Sequence, residues 1–117
     1  MPKKITATSD DQEKLIETIK TIIFGDRNWC VLHDMDHQPD KQQSVLDLIP
    51  QLRSSFLIHN LAGVQRPDTL KRPWLSIMRT FLRRKYHVLS ENYLMKQSDG
   101  KVIATKRYVI LPKEAIQ

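Results

Sequence analysis

A series of arginines with helical spacing is the first feature of this sequence that could bind a ligand. Arg79 and Arg83 lie four residues apart, and Arg72 lies seven residues before Arg79. In a helix, at 100° per residue, these three side chains and Ser76 would project within about 60° of one another. Guanidinium groups fit phosphate oxygens and the O6/N7 edge of guanine. The spacing therefore predicts an anion-binding helix face.

The same segment lacks nearby carboxylates that could neutralise it. Residues 69 to 90 contain no aspartate or glutamate. Like charges at i and i+4 destabilise a helix by a few tenths of a kcal/mol, a penalty that an acidic ligand would reverse. We expect these arginines to be unpaired in the free protein. A solvated arginine face without a ligand is the alternative interpretation.

A second cluster, His33-Asp34-Met35-Asp36-His37, has residue types that bind zinc, iron or manganese. Met35 interrupts the cluster, Pro39 follows it, and no further histidine or cysteine nearby completes a ligand shell. The segment is interpreted as a polar, acidic loop. We therefore expect no metal and no cofactor.

Other residues with chemical potential do not form a catalytic pattern. Cys30 lies in an apolar run and is interpreted as a buried core thiol. His59 and His87 have no serine or cysteine in a recognisable relation to them. Three glycines in the whole chain are too few for a glycine-rich phosphate loop. The sequence predicts a protein that is not an enzyme.

The elements that position these residues follow from periodicity. A first amphipathic helix is expected from Ser9 or Asp10 to Gly25, and a short strand over 29–32. A second helix begins near Asp40, breaks at Pro50 and ends between Asn60 and Gly63. The third helix, Trp74 to about Lys85, has Pro73 in its first turn. Its predicted core stripe is Trp74, Ile77, Met78, Phe81 and Leu82.

A β-hairpin is predicted after the third helix. Residues 92–97 and 102–111 alternate in strand fashion, and Asp99-Gly100 between them predicts a type I′ turn. The expected fold class is α+β, with a three-helix core, a short strand and a C-terminal β-hairpin. A flexible N-terminus, residues 1–8, would precede a single domain over 9–112, and residues 113–117 would be flexible.

Charge is distributed unevenly along the 117 residues, whose net charge is +6. Residues 1–58 contain seven Lys and Arg and nine Asp and Glu, whereas residues 59–117 contain twelve and four. Such asymmetry within one small domain indicates a basic face built by the second half, which is typical of a polyanion binder. No apolar run is long enough to span a membrane, and the N-terminus does not look like a secretory signal. The expected location is the cytoplasm or the nucleus.

The order helix, strand, helix, helix, hairpin resembles the winged-helix domain, a helix-turn-helix derivative. The resemblance covers about residues 9–111 and is one of architecture. It implies that the third helix enters the DNA major groove while the hairpin "wing" contacts the backbone or the minor groove. The connection from Ala62 to Arg72 exceeds the usual three or four residues and has room for an extra helical turn around 68–71.

The sequence therefore predicts a double-stranded DNA-binding protein in transcription or replication control, without membrane association. Two alternatives stay open: an interaction module that docks an acidic protein partner on the arginine face, and an RNA or single-strand binder that stacks bases on Tyr93 and Tyr108. A homodimer is considered as a form of the DNA-binding protein. The predicted contact residues are Lys71, Arg72, Ser76, Arg79, Arg83, Arg84, Lys96, Gln97, Lys101, Lys106 and Arg107.

Overall fold

The fold is α+β, with helices packed against one face of a three-stranded antiparallel sheet. A computed structural model describes residues 9–57 and 62–113, so both predicted flexible ends lie outside it, apart from Lys113. No helix of the described residues is long and apolar enough to cross a membrane. The elements are α1 (Ser9–Phe24), β1 (Trp29–Val31), α2 (Leu32–Asp36), α3 (Pro39–Leu46), α4 (Ile49–Phe56), α5 (Ala62–Gln65), a 3₁₀ turn (Pro67–Thr69), α6 (Pro73–Leu82), β2 (Tyr86–Lys96) and β3 (Val102–Pro112).

The predicted start and end of the first helix are confirmed. Gly25 follows α1 with φ +63°, a left-handed conformation that glycine adopts without steric cost, and its N–H donates to the Thr21 carbonyl at 2.9 Å. The predicted break near Pro50 is also confirmed, because α3 ends at Leu46 and α4 begins at Ile49 with the proline in its first turn.

Two predictions about the connections are wrong. The segment after β1 is not a loop but the short helix α2, which is anchored because the Met35 side chain is buried in the core. Gly63 does not end a helix. It lies inside α5, and the next residue of that helix, Val64, is fully buried. The extra helical turn in the long connection is present as the 3₁₀ turn, one residue earlier than expected.

Helix α6 forms the centre of the core. All five residues of its predicted apolar stripe are at most 1% exposed, so the prediction is confirmed. The stripe packs against α1, α3 and α5, and the Phe81 ring lies 4.8 Å from the Phe56 ring of α4. Burial of this stripe fixes the rotation of α6 about its axis and therefore which residues face solvent.

The sheet has the strand order β1-β3-β2, so β3 is central. Tyr108 of β3 lies opposite Cys30 of β1 and Ser90 of β2. Tyr86, Tyr108 and Ile110 are buried against the helices, and the side of the hairpin that carries them is called its inner face. Side chains alternate between this face and the outer face along each strand.

The hairpin is confirmed, although β2 begins six residues earlier than predicted and the turn is not type I′. A type I′ turn requires φ > 0 at both central residues, but Asp99 does not have a positive φ. Instead, Gly100, at φ +88°, donates its N–H to the Gln97 carbonyl at 3.0 Å. Five residues, 97–101, connect the strands, and the Gln97 N–H donates to the Lys101 carbonyl at 2.8 Å. The half of the hairpin that includes the turn, residues 91–107, is called the wing; it has both an inner and an outer face.

Candidate nucleic-acid interface

A groove of about 400 Å³ runs along the exposed side of α6 and is called the α6 groove. Because the apolar stripe is buried, residues on the opposite side of the helix must face solvent, and the preceding residues 70–72 extend this surface. None of the lining residues is acidic. They are Leu70, Lys71, Arg72, Leu75, Ser76, Arg79, Thr80 and Arg83.

The cations of the α6 groove are mostly unpaired. Arg79, Arg83 and Lys71 are exposed, and no carboxylate within residues 9–57 and 62–113 lies within ion-pair distance of them. The expectation of unpaired arginines on this helix is therefore confirmed for Arg79 and Arg83. Arg79 and Arg83 thus place two unpaired positive charges on one side of α6, and Lys71, just before the helix, adds a third that interacts electrostatically with Asp36 without an ion pair.

For Arg72 the same expectation is wrong. Its Nε and one terminal nitrogen each donate to a different oxygen of Asp36 at 2.8 Å, a bidentate pair in which both side chains are 29% exposed. These hydrogen bonds hold the pKa of Asp36 below its usual value and raise the pKa of Arg72. The partner was missed because it lies 36 residues away and α2, which positions it, was expected to be a loop.

Ser76 lines the α6 groove but does not project freely from it. The residue is half-buried because α5 approaches α6 at this point. A Cβ on Gly63 would lie 2.9 Å from the Ser76 Cβ, which is closer than side chains tolerate, so only glycine allows this approach. The serine hydroxyl therefore lies beside Gly63 of α5.

A second groove lies between α2 and the hairpin and is called the wing groove. Arg72 and Asp36 belong to it, so the two grooves meet at their ion pair. Lys106 adds a further cation from β3, and Asn92 adds a polar group from β2. Lys106 is one of the contact residues predicted from the sequence, whereas Asn92 and Asp36 are not. A continuous surface thus joins α6 to the base of the wing.

The remaining predicted contact residues lie elsewhere. Lys96, Gln97 and Lys101 are at the far end of the wing, away from both grooves. The Arg84 guanidinium lies over the Phe56 ring, 4.8 Å from its centre, and not in the α6 groove.

Arg107 is on the outer face of the hairpin and is not free. It forms a cross-strand ion pair with Glu91, and its guanidinium lies 5.2 Å from the centre of the Tyr93 ring. Lys106, its neighbour in sequence, points to the inner face because side chains alternate along the strand. The two residues therefore do not extend one common basic surface.

The aromatic residues do not form a stacking platform. Trp74 and Tyr108 are buried, at 1% and 6% exposure. Tyr93 lies on the outer face, opposite Thr105 and beneath Arg107, so it shares no surface with Tyr108. Base stacking on the tyrosine pair therefore has no support in this geometry.

Cys30, His33 and His37 are further residues with chemical potential, and the rings of the two histidines lie 4.4 Å apart. Cys30 is buried, which confirms its interpretation as a core thiol, and burial raises its pKa to about 12, so the thiol is protonated at neutral pH. Residues 9–57 and 62–113 contain no group of three or more His, Cys, Asp or Glu placed to hold a metal ion. His59 lies outside the described residues.

Comparison of the chain with protein-family models, with curated proteins and with solved structures gave no match. The charges and geometry of the two grooves and the wing are therefore the basis on which a function can be proposed.

Proposed function

We propose that this chain is a winged-helix-like, non-enzymatic domain that binds double-stranded DNA through the α6 groove. One observation carries the proposal: Lys71, Arg79 and Arg83 line a single groove, and no carboxylate of the described residues forms an ion pair with any of them. The partner that such a surface lacks is an anion with repeated charges. The phosphate backbone of DNA supplies one negative charge about every 1.7 Å of helix axis.

The geometry of α6 favours a duplex over a single strand. An α-helix fits the major groove of B-DNA, which is about 12 Å wide, and α6 presents its cations on the side opposite the core. Arg79 and Arg83 would then reach phosphates or guanine edges. Lys106, in the wing groove, would contact the backbone beside the helix. The strand order and the position of the hairpin after α6 support the winged-helix comparison.

A regulatory role in transcription or replication, in the cytoplasm or nucleus, is part of this proposal. An acidic protein could be held by the same cations, and a single-stranded nucleic acid would also be attracted to them. The burial of Trp74 and Tyr108 counts against single-strand stacking. The two alternatives are outcomes of the experiment below.

The test is fluorescence anisotropy of labelled duplex DNA, single-stranded DNA and RNA from low to physiological salt. Binding to the duplex should be the tightest of the three. The logarithm of its binding constant should fall linearly with the logarithm of the salt concentration, with a slope of about −0.9 for each phosphate contacted. Tighter binding to single-stranded DNA or to RNA would replace duplex DNA by that nucleic acid as the ligand. Absence of binding to all three at low salt would overturn it and leave an acidic protein as the candidate ligand.

A pair of charge-matched variants locates the site. Arg79→Ala with Arg83→Ala should weaken duplex binding by about 10- to 100-fold and reduce the salt slope by about two. Lys14→Ala with Arg27→Ala removes the same net charge from residues that do not line the α6 groove, and should change affinity little. Equal losses in both variants would show that net charge, not the α6 groove, attracts DNA.

A further inference from the structure

The wing carries an exposed apolar pair that packing within the chain does not explain. Leu94 is 71% exposed and Val102 is 59% exposed, and both lie on the inner face. Leu94 is paired with Ala104 and Val102 with Lys96, so the two apolar side chains are diagonal neighbours on adjacent strands. Every inner-face residue between Ser90 and Lys106 along the hairpin is exposed.

Charge on the wing is separated between its two faces. The inner face carries Lys96 and Lys106 on either side of the apolar pair and has no acid. On the outer face, Glu91 neutralises Arg107. An apolar patch flanked by cations alone complements a ligand that has an apolar surface between two rows of anions.

We propose that Leu94 and Val102 enter the minor groove of the duplex held by the α6 groove and bend it. This inference rests on the function proposed above. The sugars that line a minor groove are apolar, and the phosphates on both edges would meet the two lysines. Apolar wedges inserted from the minor groove partly unstack base steps and kink the duplex.

The dimensions of the wing support insertion with distortion. Its strands continue for six residues beyond Ser90, which is about 20 Å at roughly 3.3 Å per residue, far enough to reach a groove next to the one occupied by α6. Two strands about 4.8 Å apart, with their side chains, are wider than a minor groove of about 6 Å. The groove must therefore open where the wing enters, and opening it bends the duplex.

A second copy of the chain fits this face less well. Pairing two inner faces about a two-fold axis would bring the lysines of both copies to one apolar patch, and the inner face offers no carboxylate to compensate them. A duplex supplies that compensation on both sides. The observations therefore favour DNA as the occupant of the inner face.

The test compares the apolar pair of the inner face with an exposed leucine on the outer face of β2. The variant Leu94→Thr with Val102→Thr replaces the inner-face pair by a β-branched residue that suits strands but is polar. The control is Leu89→Thr, which changes a leucine that is 51% exposed on the outer face of β2. Circular dichroism and thermal unfolding verify that both variants fold.

Bending is measured by energy transfer between the labelled ends of a duplex of about 25 base pairs, and affinity by anisotropy. The wild type and the Leu89→Thr protein should bend the duplex equally. The Leu94→Thr/Val102→Thr protein should bind about tenfold more weakly, with an unchanged salt slope and no bend. Replacing guanine by inosine, which removes the minor-groove amine, should tighten wild-type binding but not binding of the double variant.

Each other result separates this inference from the proposed function. Wild-type bending and affinity in the double variant would overturn the wedge and leave DNA binding by α6 intact. An equal loss in Leu89→Thr would also overturn it, because the effect would then not belong to the inner face. Self-association that disappears in the double variant without DNA would identify a second copy as the occupant. A wild type that binds no duplex would remove both proposals.

Discussion

Lys85 lies close in sequence to Arg79 and Arg83 but has the opposite surroundings. The Lys85 ammonium is 3.0 Å from a carboxylate oxygen of Glu13 and 2.9 Å from one of Glu17. The Tyr86 hydroxyl donates to the same Glu17 oxygen, and burial together with this hydrogen bond raises the pKa of Tyr86 to about 12. Arg79 and Arg83 face no carboxylate of the described residues.

The difference separates cations that position elements from cations that are available to a ligand. The pair Lys85–Glu17 connects the end of α6 to α1, Arg72–Asp36 connects its start to α2, and Arg107–Glu91 connects two strands. Each paired cation therefore holds two segments in register. The α6 groove has no such connection for Arg79 or Arg83, which is why we assign it to ligand binding.

The largest change in duplex affinity is expected from placing a carboxylate next to the cations of the α6 groove, as Glu17 is placed next to Lys85. Thr80→Glu places an acid three residues before Arg83 and four before Arg84, so the helix should gain a few tenths of a kcal/mol from new ion pairs. Duplex affinity, measured by anisotropy, should fall about 10- to 100-fold because one or two phosphate contacts are lost. The control, Thr80→Gln, has the same size without the charge and should bind normally. Normal binding by Thr80→Glu would exclude the groove as the DNA site.

Removing Glu17, the carboxylate shared by Lys85 and Tyr86, should lower the stability of the protein and leave its DNA affinity unchanged. Glu17→Ala leaves Lys85 with Glu13 alone and the Tyr86 hydroxyl without its acceptor, so the free energy of unfolding should fall by about 1 kcal/mol, a modest value because water reaches the half-exposed carboxylate. The pKa of Tyr86 should fall but stay above its ordinary value of 10, because burial remains. Urea unfolding and ultraviolet titration measure the two effects. A loss of DNA affinity in the folded variant would contradict the separation of roles.

A smaller effect is expected where the two grooves meet. Asp36→Asn keeps the shape of the side chain but frees the charge of Arg72, so duplex affinity should rise about threefold while stability falls by less than about 1 kcal/mol. The folded-state pKa of Asp36 is lowered, so its carboxylate stabilises the native state at neutral pH. This contribution is lost as the pH falls through that lowered pKa. The difference in the free energy of unfolding between the wild type and Asp36→Asn should therefore have its full size at pH 7 and disappear in acid.

Asp36 also shows what the sequence could and could not predict. The rotation of α6, the end of α1 at Gly25 and the hairpin follow from periodicity and turn residues, because these are local properties. The partner of Arg72 depends on α2, which forms because Met35 reaches the core, a tertiary contact without a local signal. The same holds for Gly63, whose role appears only where α5 touches Ser76. The face on which Arg107 lies depends on strand register, which the sequence left undetermined.

The smallest change in duplex affinity is expected for Glu91→Gln. This variant is the charge-matched control for Asp36→Asn. It changes the net charge by the same amount as Asp36→Asn and frees Arg107, but on the outer face of the hairpin. An exposed ion pair contributes about 0.2–1 kcal/mol, so thermal unfolding should shift little. Duplex affinity should stay within measurement error, because Arg107 lines neither the α6 groove nor the wing groove. If Glu91→Gln raised affinity as much as Asp36→Asn, net charge would explain both gains, and the freed charge of Arg72 would not be their specific cause.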